Sequence, residues 1–183
     1  MKSFKDIFRS HCEFDENGRH KNGTDRQSNH SYGDAYDYIF PDRESIRLVL
    51  EVGTSDGAGM RSWRDAFPNA LIVGMDVHPA NIQGERLEFH VGDQRNKAEC
   101  ERAAAGRQFD VIIEDAYHST DNTLLTLFWL WPFVKPGGVY IVEEWQNVAG
   151  DMANVQHLFP GAEVVHTPGP FGGDEPLIVF RKA

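Results

Sequence analysis

The sequence has few cysteines and no long apolar segment. Its two cysteines, Cys12 and Cys100, share no motif, which predicts a protein without a disulfide framework in a reducing, cytoplasmic setting. Because no run of about 18 apolar residues occurs, we expect no transmembrane helix. The first residues also lack the apolar core of a signal peptide, so we expect no secretion signal.

Basic residues are scarce as well. The chain of 183 residues contains 18 Lys and Arg against 28 Asp and Glu, which gives a formal net charge of −10. This excess of negative charge argues against a nucleic acid or an anionic membrane as a partner bound by bulk electrostatics. The length fits one domain of roughly 100–200 residues. We therefore expect a single domain whose partner is neither nucleic acid nor membrane.

Two common nucleotide-binding motifs are missing. Gly53, Gly57 and Gly59 follow the first apolar run with the spacing G-x-x-x-G-x-G, which does not match the dinucleotide fingerprint G-x-G-x-x-G. There is also no G-x-x-x-x-G-K-[ST] phosphate loop. The glycines still predict a tight turn in which backbone N–H groups can approach a ligand.

Apolar runs alternate with helical segments over most of the chain. Strands are predicted at 47–53, 71–76, 87–91, 109–115, 139–144, 162–165 and 177–180. Helices are predicted near 58–67, 95–106, 121–134 and 148–158. This alternation indicates parallel strands joined by right-handed crossovers. Because no helix separates the last two strands, the last one is predicted to be antiparallel. The expected fold class is α/β, a Rossmann-like, doubly wound sheet of seven strands.

The first 45 residues are polar and weakly patterned. Phe4, Ile7 and Phe8 have the spacing of one face of a short helix, and a second helix is predicted over 34–40. One interpretation is a helical and loop extension, residues 1–45, that lies over the active site of a main domain, residues 46–183. The other is a mobile tail with one docked helix.

Acidic residues close four of the first five predicted strands. They are Glu51, Asp76, Asp115 and the pair Glu143 and Glu144. In a doubly wound sheet, ligands bind outside the carboxyl ends of the strands. We therefore expect these acids to cluster at the ligand-binding edge of the sheet.

The acids near the second and third strands suggest a nucleoside. Asp76 suits a ribose diol, whose two hydroxyls can donate to one carboxylate. Asp93 and Gln94 follow the third strand, and Asp93 is placed to accept from an adenine amino group. With few cations nearby, a neutral or cationic nucleoside fits better than a pyrophosphate, and S-adenosylmethionine is such a ligand. The alternative is that Gly53 only makes a tight turn and Asp76 caps a helix.

The acids of the fourth and fifth strands suggest a metal ion. Carboxylates of Asp115, Glu143 and Glu144 that converge on one point repel each other unless a cation or a proton lies between them. Mg²⁺ with oxygen ligands is one solution, and it keeps positions open for water or substrate. His118 could then accept a proton from a metal-held hydroxyl. The alternative is that His118 caps the following helix and that the acids are solvated.

Ordered segments between residues 23 and 145 form a recognisable set. They are Gly23-Thr24-Asp25-Arg26 with Tyr32 and Tyr36, Leu50-Glu51-Val52-Gly53, Ser62-Trp63-Arg64-Asp65-Ala66-Phe67-Pro68-Asn69-Ala70, Gly74-Met75-Asp76-Val77, Gly92-Asp93-Gln94, Phe109-Asp110-Val111-Ile112-Ile113-Glu114-Asp115, His118, Lys135-Pro136-Gly137-Gly138-Val139-Tyr140 and Val142-Glu143-Glu144. In this order the set resembles the class I S-adenosylmethionine-dependent methyltransferases of the macrolide sugar O-methyltransferase type.

The resemblance implies a fold, an activity and partners. It implies the class I methyltransferase fold, with residues 46–183 as the methyltransferase domain. It implies an S-adenosylmethionine-dependent and Mg²⁺-dependent O-methyltransferase acting on a hydroxyl of a small molecule, such as a sugar or glycoside. Because the family tends to assemble, a homo-oligomer is a further expectation. Two alternatives stay open: a metal-independent N- or O-methyltransferase, and a non-catalytic nucleoside-binding module.

The resemblance also implies roles for individual residues. The cofactor-binding residues would be Glu51, Gly53, Thr54, Ser55, Asp76, Asp93, Gln94 and Asp115. The magnesium ligands would be Asp115, Glu143 and Glu144. Asp115 and His118 would be the catalytic residues, with His118 as the general base.

The chain departs from the family pattern at three places. The usual Asp-Asp-Gly-Ser-His is Glu114-Asp115-Ala116-Tyr117-His118, so that a bulky Tyr117 replaces serine. The usual Glu-Asp pair is Glu143-Glu144, and the usual Thr-Asp-Lys is Thr24-Asp25-Arg26. The macrolide enzymes also carry segments that this shorter chain lacks. These departures bear on the acceptor rather than on the cofactor.

Two more features near the predicted site concern the acceptor. Trp145 follows the acids directly, and its ring is a candidate for stacking on a sugar. The Pro- and Gly-rich segment 167–173 is predicted as a long hairpin connection that either gates the pocket or only joins two strands.

Overall fold

The computed structural model describes residues 1–17, 19–146, 148–167 and 176–183. Apart from Thr167, the predicted hairpin connection over 167–173 lies outside these residues. Within the described ranges, no helix combines the length and apolar character needed to cross a membrane.

Nine strands form two sheets among the described residues. They are β1 (Cys12–Phe14), β2 (His20–Gly23), β3 (Leu48–Val52), β4 (Leu71–Asp76), β5 (Leu87–Val91), β6 (Phe109–Glu114), β7 (Val134–Val142), β8 (Ala162–Val165) and β9 (Leu177–Arg181). β1 and β2 pair as a small antiparallel sheet that the sequence pattern did not predict. The other seven strands form one sheet in the order β5-β4-β3-β6-β7-β9-β8.

The large sheet has the predicted topology. Strands β3 to β7 run parallel to one another, whereas β9 is antiparallel to both β7 and β8. β6 is buried at every position, as expected for a parallel strand covered on both faces. The predicted class I methyltransferase fold, a doubly wound seven-stranded sheet with its last strand antiparallel, is confirmed.

Helices cover both faces of this sheet. They are α1 (Phe4–Ser10), α2 (Gly33–Ile39), α3 (Ala58–Ala66), α4 (Lys97–Ala104), α5 (Thr120–Leu130) and α6 (Val148–Leu158). Side chains from α1, α2 and α3 join one apolar core, and side chains from α4, α5 and α6 join the other. Adjacent strand residues divide between the two cores, with Val49 in the first and Leu50 in the second, because successive side chains point to opposite faces.

One predicted boundary is wrong. The helix expected over 121–134 ends at Leu130, a 3₁₀ turn follows at Trp131–Phe133, and β7 begins at Val134 rather than at residue 139. Pro132 lies in that turn and has no N–H to continue the helix. The Pro- and Gly-containing stretch 135–138, which follows the predicted helix directly, lies inside β7, where the pairing with β6 shifts register.

The N-terminal helices pack on the main domain through aromatic rings. Phe8 of α1 meets Trp63 of α3 edge to face, with ring centroids 5.2 Å apart. Tyr36 of α2 lies 4.9 Å from the same ring, and Phe4 contacts all three. All four side chains are buried. These contacts fix the polar residues between α1 and α2 beside the carboxyl edge of the sheet.

Candidate active site

A cavity of about 430 Å³ opens at the carboxyl edge of the large sheet. Residues at the carboxyl ends of β3 and β4 and residues that follow β3, β4, β5 and β6 line it. The lining is Val52, Gly53, Ser55, Met75, Asp76, Val77, His78, Gly92, Asp93, Gln94, Arg95, Asp115, Ala116 and Tyr117. The structure therefore brings six of the eight predicted cofactor residues to one cavity, and the other two, Glu51 and Thr54, line a smaller cavity next to it.

Gly53 lets the end of β3 approach the end of β6. Its φ is +90°, and an added Cβ would lie 2.1 Å from the carbonyl oxygen of Asp115. Any other residue would push these two strand ends apart, so glycine is required here. The close approach places the loop after β3 against the loop that carries Asp115.

Asp76 is held in place by backbone donors at the edge of the cavity. Its Oδ2 accepts from the Ser55 N–H and its Oδ1 from the His78 N–H, both at 2.8 Å. Each carboxylate oxygen has a second lone pair, so a diol in the cavity could still donate to Asp76. Ser55 has a φ of +47°, an uncommon conformation for a residue other than glycine and one that recurs at ligand sites.

The structure places Asp93 and Gln94 differently from each other. Asp93 is paired with Arg95 through two donors, at 2.7 Å from Nη2 and 3.0 Å from Nε, and this hydrogen bonding lowers the pKa of Asp93. Gln94 is 6% exposed, and its amide is bonded to protein groups. Asp93 stays at the cavity surface, whereas the Gln94 side chain points into the protein.

A second, smaller cavity of about 70 Å³ adjoins the first. The two share Gly53, Ser55 and Asp115 as lining residues. Glu51 and Thr54 line only the smaller one, together with Arg26 and other residues of the N-terminal segment. A ligand longer than a nucleoside could therefore extend from the large cavity toward the acids.

Arg26 lies among three of the predicted acids. Its Nη2 is 2.8 Å from Asp115 Oδ2 and 2.9 Å from Glu51 Oε1, and its Nε is 2.8 Å from Glu143 Oε1. The guanidinium is 3% exposed and lies 4.8 Å from the centre of the Trp63 ring. The positive charge that the carboxylates of Glu51, Asp115 and Glu143 require is therefore supplied by the protein itself.

The electrostatics of this cluster follow from its burial. Burial raises the pKa of Glu51 to about 7, although Arg26 partly offsets the effect. Burial and the nearby Glu143 carboxylate likewise raise the pKa of Asp115. Burial would lower the pKa of Arg26, but the carboxylates of Glu143, Asp115 and Glu51 outweigh it and raise that pKa well above its usual range. Arg26 therefore stays charged, while Glu51 and Asp115 are drawn toward protonation.

Glu144 lies between two histidines. Its Oε2 is 3.0 Å from His118 Nε2 and its Oε1 is 3.2 Å from His30 Nε2. Hydrogen bonding to His118 and His30 lowers the pKa of Glu144, and the bond to Glu144 raises the pKa of His118. Burial opposes protonation of His30, yet its bonds to Asp25 and Glu144 raise its pKa to about 11. Glu144 has a φ of +53°, so its backbone is strained at this position.

The predicted magnesium ligands fall into two groups. Ligand atoms of Asp115, His118 and Glu144 lie within 4.8 Å of one another, close enough to share an ion. The Oε1 of Glu143 instead accepts hydrogen bonds from the Nε–H of Arg26 and from the Tyr36 hydroxyl. The sequence pattern predicted that Glu143 would join Asp115 and Glu144, whereas the structure brings His118 to that pair.

Three residues of the N-terminal segment belong to the site and were missed. Arg26, His30 and Tyr36 contact the acids, although they precede β3. Arg26 and Tyr36 occur in the segments that carry the family resemblance, but that set gave them no role, and no sequence pattern singled out His30. For Trp145, in contrast, the structure argues against the role in acceptor binding that the sequence suggested. It is 5% exposed and its N–H donates to Asp151, so its ring is part of the core.

Comparison with known proteins agrees with this geometry. Residues 50–145 match a family model described as a methyltransferase domain. Demethylmacrocin O-methyltransferase of Streptomyces fradiae is 32% identical over 139 residues, which are 67% of this chain and 35% of that protein. The 8-demethyl-8-alpha-L-rhamnosyl tetracenomycin-C 2'-O-methyltransferase of Streptomyces olivaceus is 29% identical over 137 residues, 69% of this chain and 36% of its own.

A solved structure gives the same result. The MycE methyltransferase of the mycinamycin biosynthetic pathway, in complex with Mg and SAH, is 29% identical with a TM-score of 0.59. The match covers 62% of this chain and 32% of that one. The chain thus spans about a third of the length of the curated relatives it matches.

Proposed function

Because this chain belongs to the methyltransferase-domain family that includes the macrolide sugar O-methyltransferases, we propose that it transfers a methyl group from S-adenosylmethionine to a hydroxyl of a small molecule. The observation that carries the proposal is the continuity of the site. The cavity at the carboxyl edge of the sheet is lined by Asp115, and ligand atoms of His118 and Glu144 lie within 4.8 Å of those of Asp115. The relative whose name gives a rhamnosyl tetracenomycin as its acceptor makes a sugar or glycoside the proposed acceptor.

The chain's residues fit the proposed cofactor. Asp76 would accept from the ribose hydroxyls, while Asp93 and the backbone near it would receive the adenine edge. The amino-acid end would extend past Gly53 and Ser55 into the small cavity beside Glu51 and Thr54, which the larger cavity adjoins. No basic cradle for a phosphate is needed, because this cofactor has none. Its chemistry is that of an electrophilic methyl group on a sulfonium.

His118 is the proposed general base. Its Nε2 already faces the Glu144 carboxylate, which can orient the ring and stabilise its protonated form. The other ring nitrogen, Nδ1, has no hydrogen-bond partner among the residues that the structure describes and would take the acceptor's hydroxyl proton. The oxygen then attacks the methyl carbon, the carbon–sulfur bond breaks, and the electron pair remains on sulfur. Asp115 and its neighbours would hold the two reactants in line, which is the main way that such an enzyme lowers the barrier.

The donor set fits a hard divalent cation through two carboxylates. Mg²⁺ in proteins is usually held by one or two carboxylates, with water and substrate completing its shell. We assign these two ligands to Asp115 and Glu144, whose oxygens lie in one group. Ligation by Glu143 would require its ion pair with Arg26 to open. A bound Mg²⁺ would make the acceptor hydroxyl more acidic.

Metal removal tests this assignment. A chelator should lower turnover on the order of 10²-fold, because a Lewis acid contributes several kcal/mol to such a transition state, while calorimetry should show S-adenosylhomocysteine still binding. Glu144→Gln should raise the Mg²⁺ concentration needed for half-maximal activity. Glu163→Gln on β8, the same exchange far from the site, should leave it unchanged.

The competing function is metal-independent methyl transfer. Arg26 already pairs with Asp115 and Glu143, two of the three acids that were predicted to hold the metal, and this observation favours the alternative. Full activity in chelator, with no gain on adding Mg²⁺, would establish it and refute the assignment of Asp115 and Glu144.

The cysteines and the exposed apolar side chains bear on the location and the assembly of the protein. Both cysteines are free thiols, and burial raises the pKa of Cys100 to about 12, which makes its thiol unreactive. We propose a reducing, cytoplasmic location and a homo-oligomer on the model of the family. Three exposed apolar side chains on α5 and α6 (Leu125, Phe128 and Leu158) are available to such an assembly.

A further inference from the structure

The Gln94 side chain joins the cofactor cavity to the loop that carries His118. We propose that Gln94 is a positioning residue, whose amide holds the loop 115–119 in its catalytic place, and that it does not bind adenine through its side chain. This inference rests on the proposed function, because it concerns how the same site is kept in order.

Every polar atom of the Gln94 side chain has a partner within the protein. Oε1 accepts from the Tyr117 N–H at 2.5 Å. Nε2 donates to Glu114 Oε1 at 3.1 Å and to Thr126 Oγ1 at 3.2 Å. Since an amide nitrogen has two hydrogens, both are in use. The side chain has no donor left to offer to a purine.

These contacts connect three separate elements. Gln94 lies in the loop after β5, Glu114 ends β6, and Thr126 is on α5. Tyr117 lies in the short connection between β6 and α5, and His118 is the next residue. At the start of this connection, the Asp115 N–H donates to the Val52 carbonyl. Gln94 therefore secures the middle of a loop whose first residue is secured by β3.

The chemistry of the position requires an amide. Gln94 must accept from a backbone N–H on one side and donate to a buried carboxylate on the other. Glutamate would place a second carboxylate against Glu114, which is 1% exposed, and like charges in a buried site repel strongly. Methionine has a similar volume but makes neither bond. Asparagine is shorter by one methylene and cannot reach both partners.

Adenine binding and loop positioning by Gln94 would have different effects on the kinetics of a variant. If its side chain bound adenine, Gln94→Met would weaken S-adenosylhomocysteine binding and leave kcat at saturating cofactor unchanged. If it positions the loop, kcat should fall on the order of 10²-fold, the cost of a displacement near 1 Å at a reacting group. Because Asp115 and Tyr117 of this loop also line the cofactor cavity, cofactor affinity should fall as well, but by much less than kcat.

The deciding experiment measures loop order directly. Amide hydrogen exchange at Tyr117 should be about fivefold faster in Gln94→Met, which is the equivalent of the roughly 1 kcal/mol that one hydrogen bond contributes. Gln94→Asn should show the same effect more weakly. Gln108→Met, the same exchange at an exposed position that precedes β6, should leave Tyr117 exchange and kcat unchanged.

The outcomes separate this proposal from the proposed function. Wild-type Tyr117 protection in Gln94→Met, or weaker S-adenosylhomocysteine binding with unchanged kcat, overturns the positioning role. If Gln94→Met does not fold, Gln94→Asn decides by the same two measurements. If the wild-type protein transfers no methyl group, the proposed function fails, and Tyr117 exchange still shows whether Gln94 holds the loop.

Discussion

Replacing Arg26 with methionine should destabilise the protein by about 3–5 kcal/mol. This is the usual cost of removing one partner from a buried ion pair, because the remaining charges are left uncompensated. Here three carboxylates, those of Glu51, Asp115 and Glu143, lose their shared cation. Denaturation in urea, followed by circular dichroism, measures the difference in the free energy of unfolding.

Two further variants define the origin of that effect. Arg26→Lys keeps the charge but has no planar fork to reach three acids, so its stability should lie between those of the methionine variant and the wild type. Arg61→Met removes a half-exposed arginine that lies 3.9 Å from Asp56, and should cost less than about 1 kcal/mol. A methionine variant at position 26 that is as stable as the Arg61 control would contradict the central role given to Arg26.

Replacing His118 with alanine should lower kcat by about 10²–10⁴-fold, the range typical of a lost general base. The affinity for S-adenosylhomocysteine should be unchanged, because His118 does not line the cofactor cavity. His157→Ala, at an exposed position near the end of α6, is the matched control and should retain full activity. A loss of only a few-fold on His118→Ala would remove the residue from the mechanism.

The pH dependence of kcat/KM should also identify His118 as the general base. The bond to Glu144 raises the pKa of His118 above its ordinary value of 6.5. Only the unprotonated ring can accept a proton, so kcat/KM should rise with pH. The rise should level off only at a pH above 6.5, because the pKa of His118 is raised above that value. In Glu144→Gln the charge that favours the protonated ring is gone, and the midpoint of the rise should move to lower pH. A midpoint that is unaffected by Glu144→Gln would show that the titrating group is not His118.

The sheet edge could be predicted from the sequence because parallel strands obey a simple rule. Each apolar run that ended in Asp76, Asp115 or Glu143 became a parallel strand, and parallel strands present their carboxyl ends on one side. No knowledge of tertiary contacts was needed for that step. The same rule did not give the start of β7, because proline and glycine are typical of turns and here lie within an irregular strand.

The partners of the acids could not be predicted in this way. Arg26 and Asp115 are 89 residues apart in the chain, and their contact exists only because α1 and α2 pack on α3. The direction of a side chain is also invisible to strand patterns. Gln94 follows a strand in the manner of a ligand-binding residue, yet the buried carboxylate of Glu114 draws its amide into the protein.

The central claim is that this edge of the sheet transfers methyl groups to a hydroxyl, and mass spectrometry tests it directly. The protein is incubated with S-adenosylmethionine, Mg²⁺ and a panel of glycoside, catechol and phenolic acceptors. The account predicts S-adenosylhomocysteine and an O-methylated glycoside in equal amounts, with both products greatly reduced in His118→Ala. Binding of S-adenosylmethionine without any methylated product across the panel would contradict the account and identify a nucleoside-binding module instead.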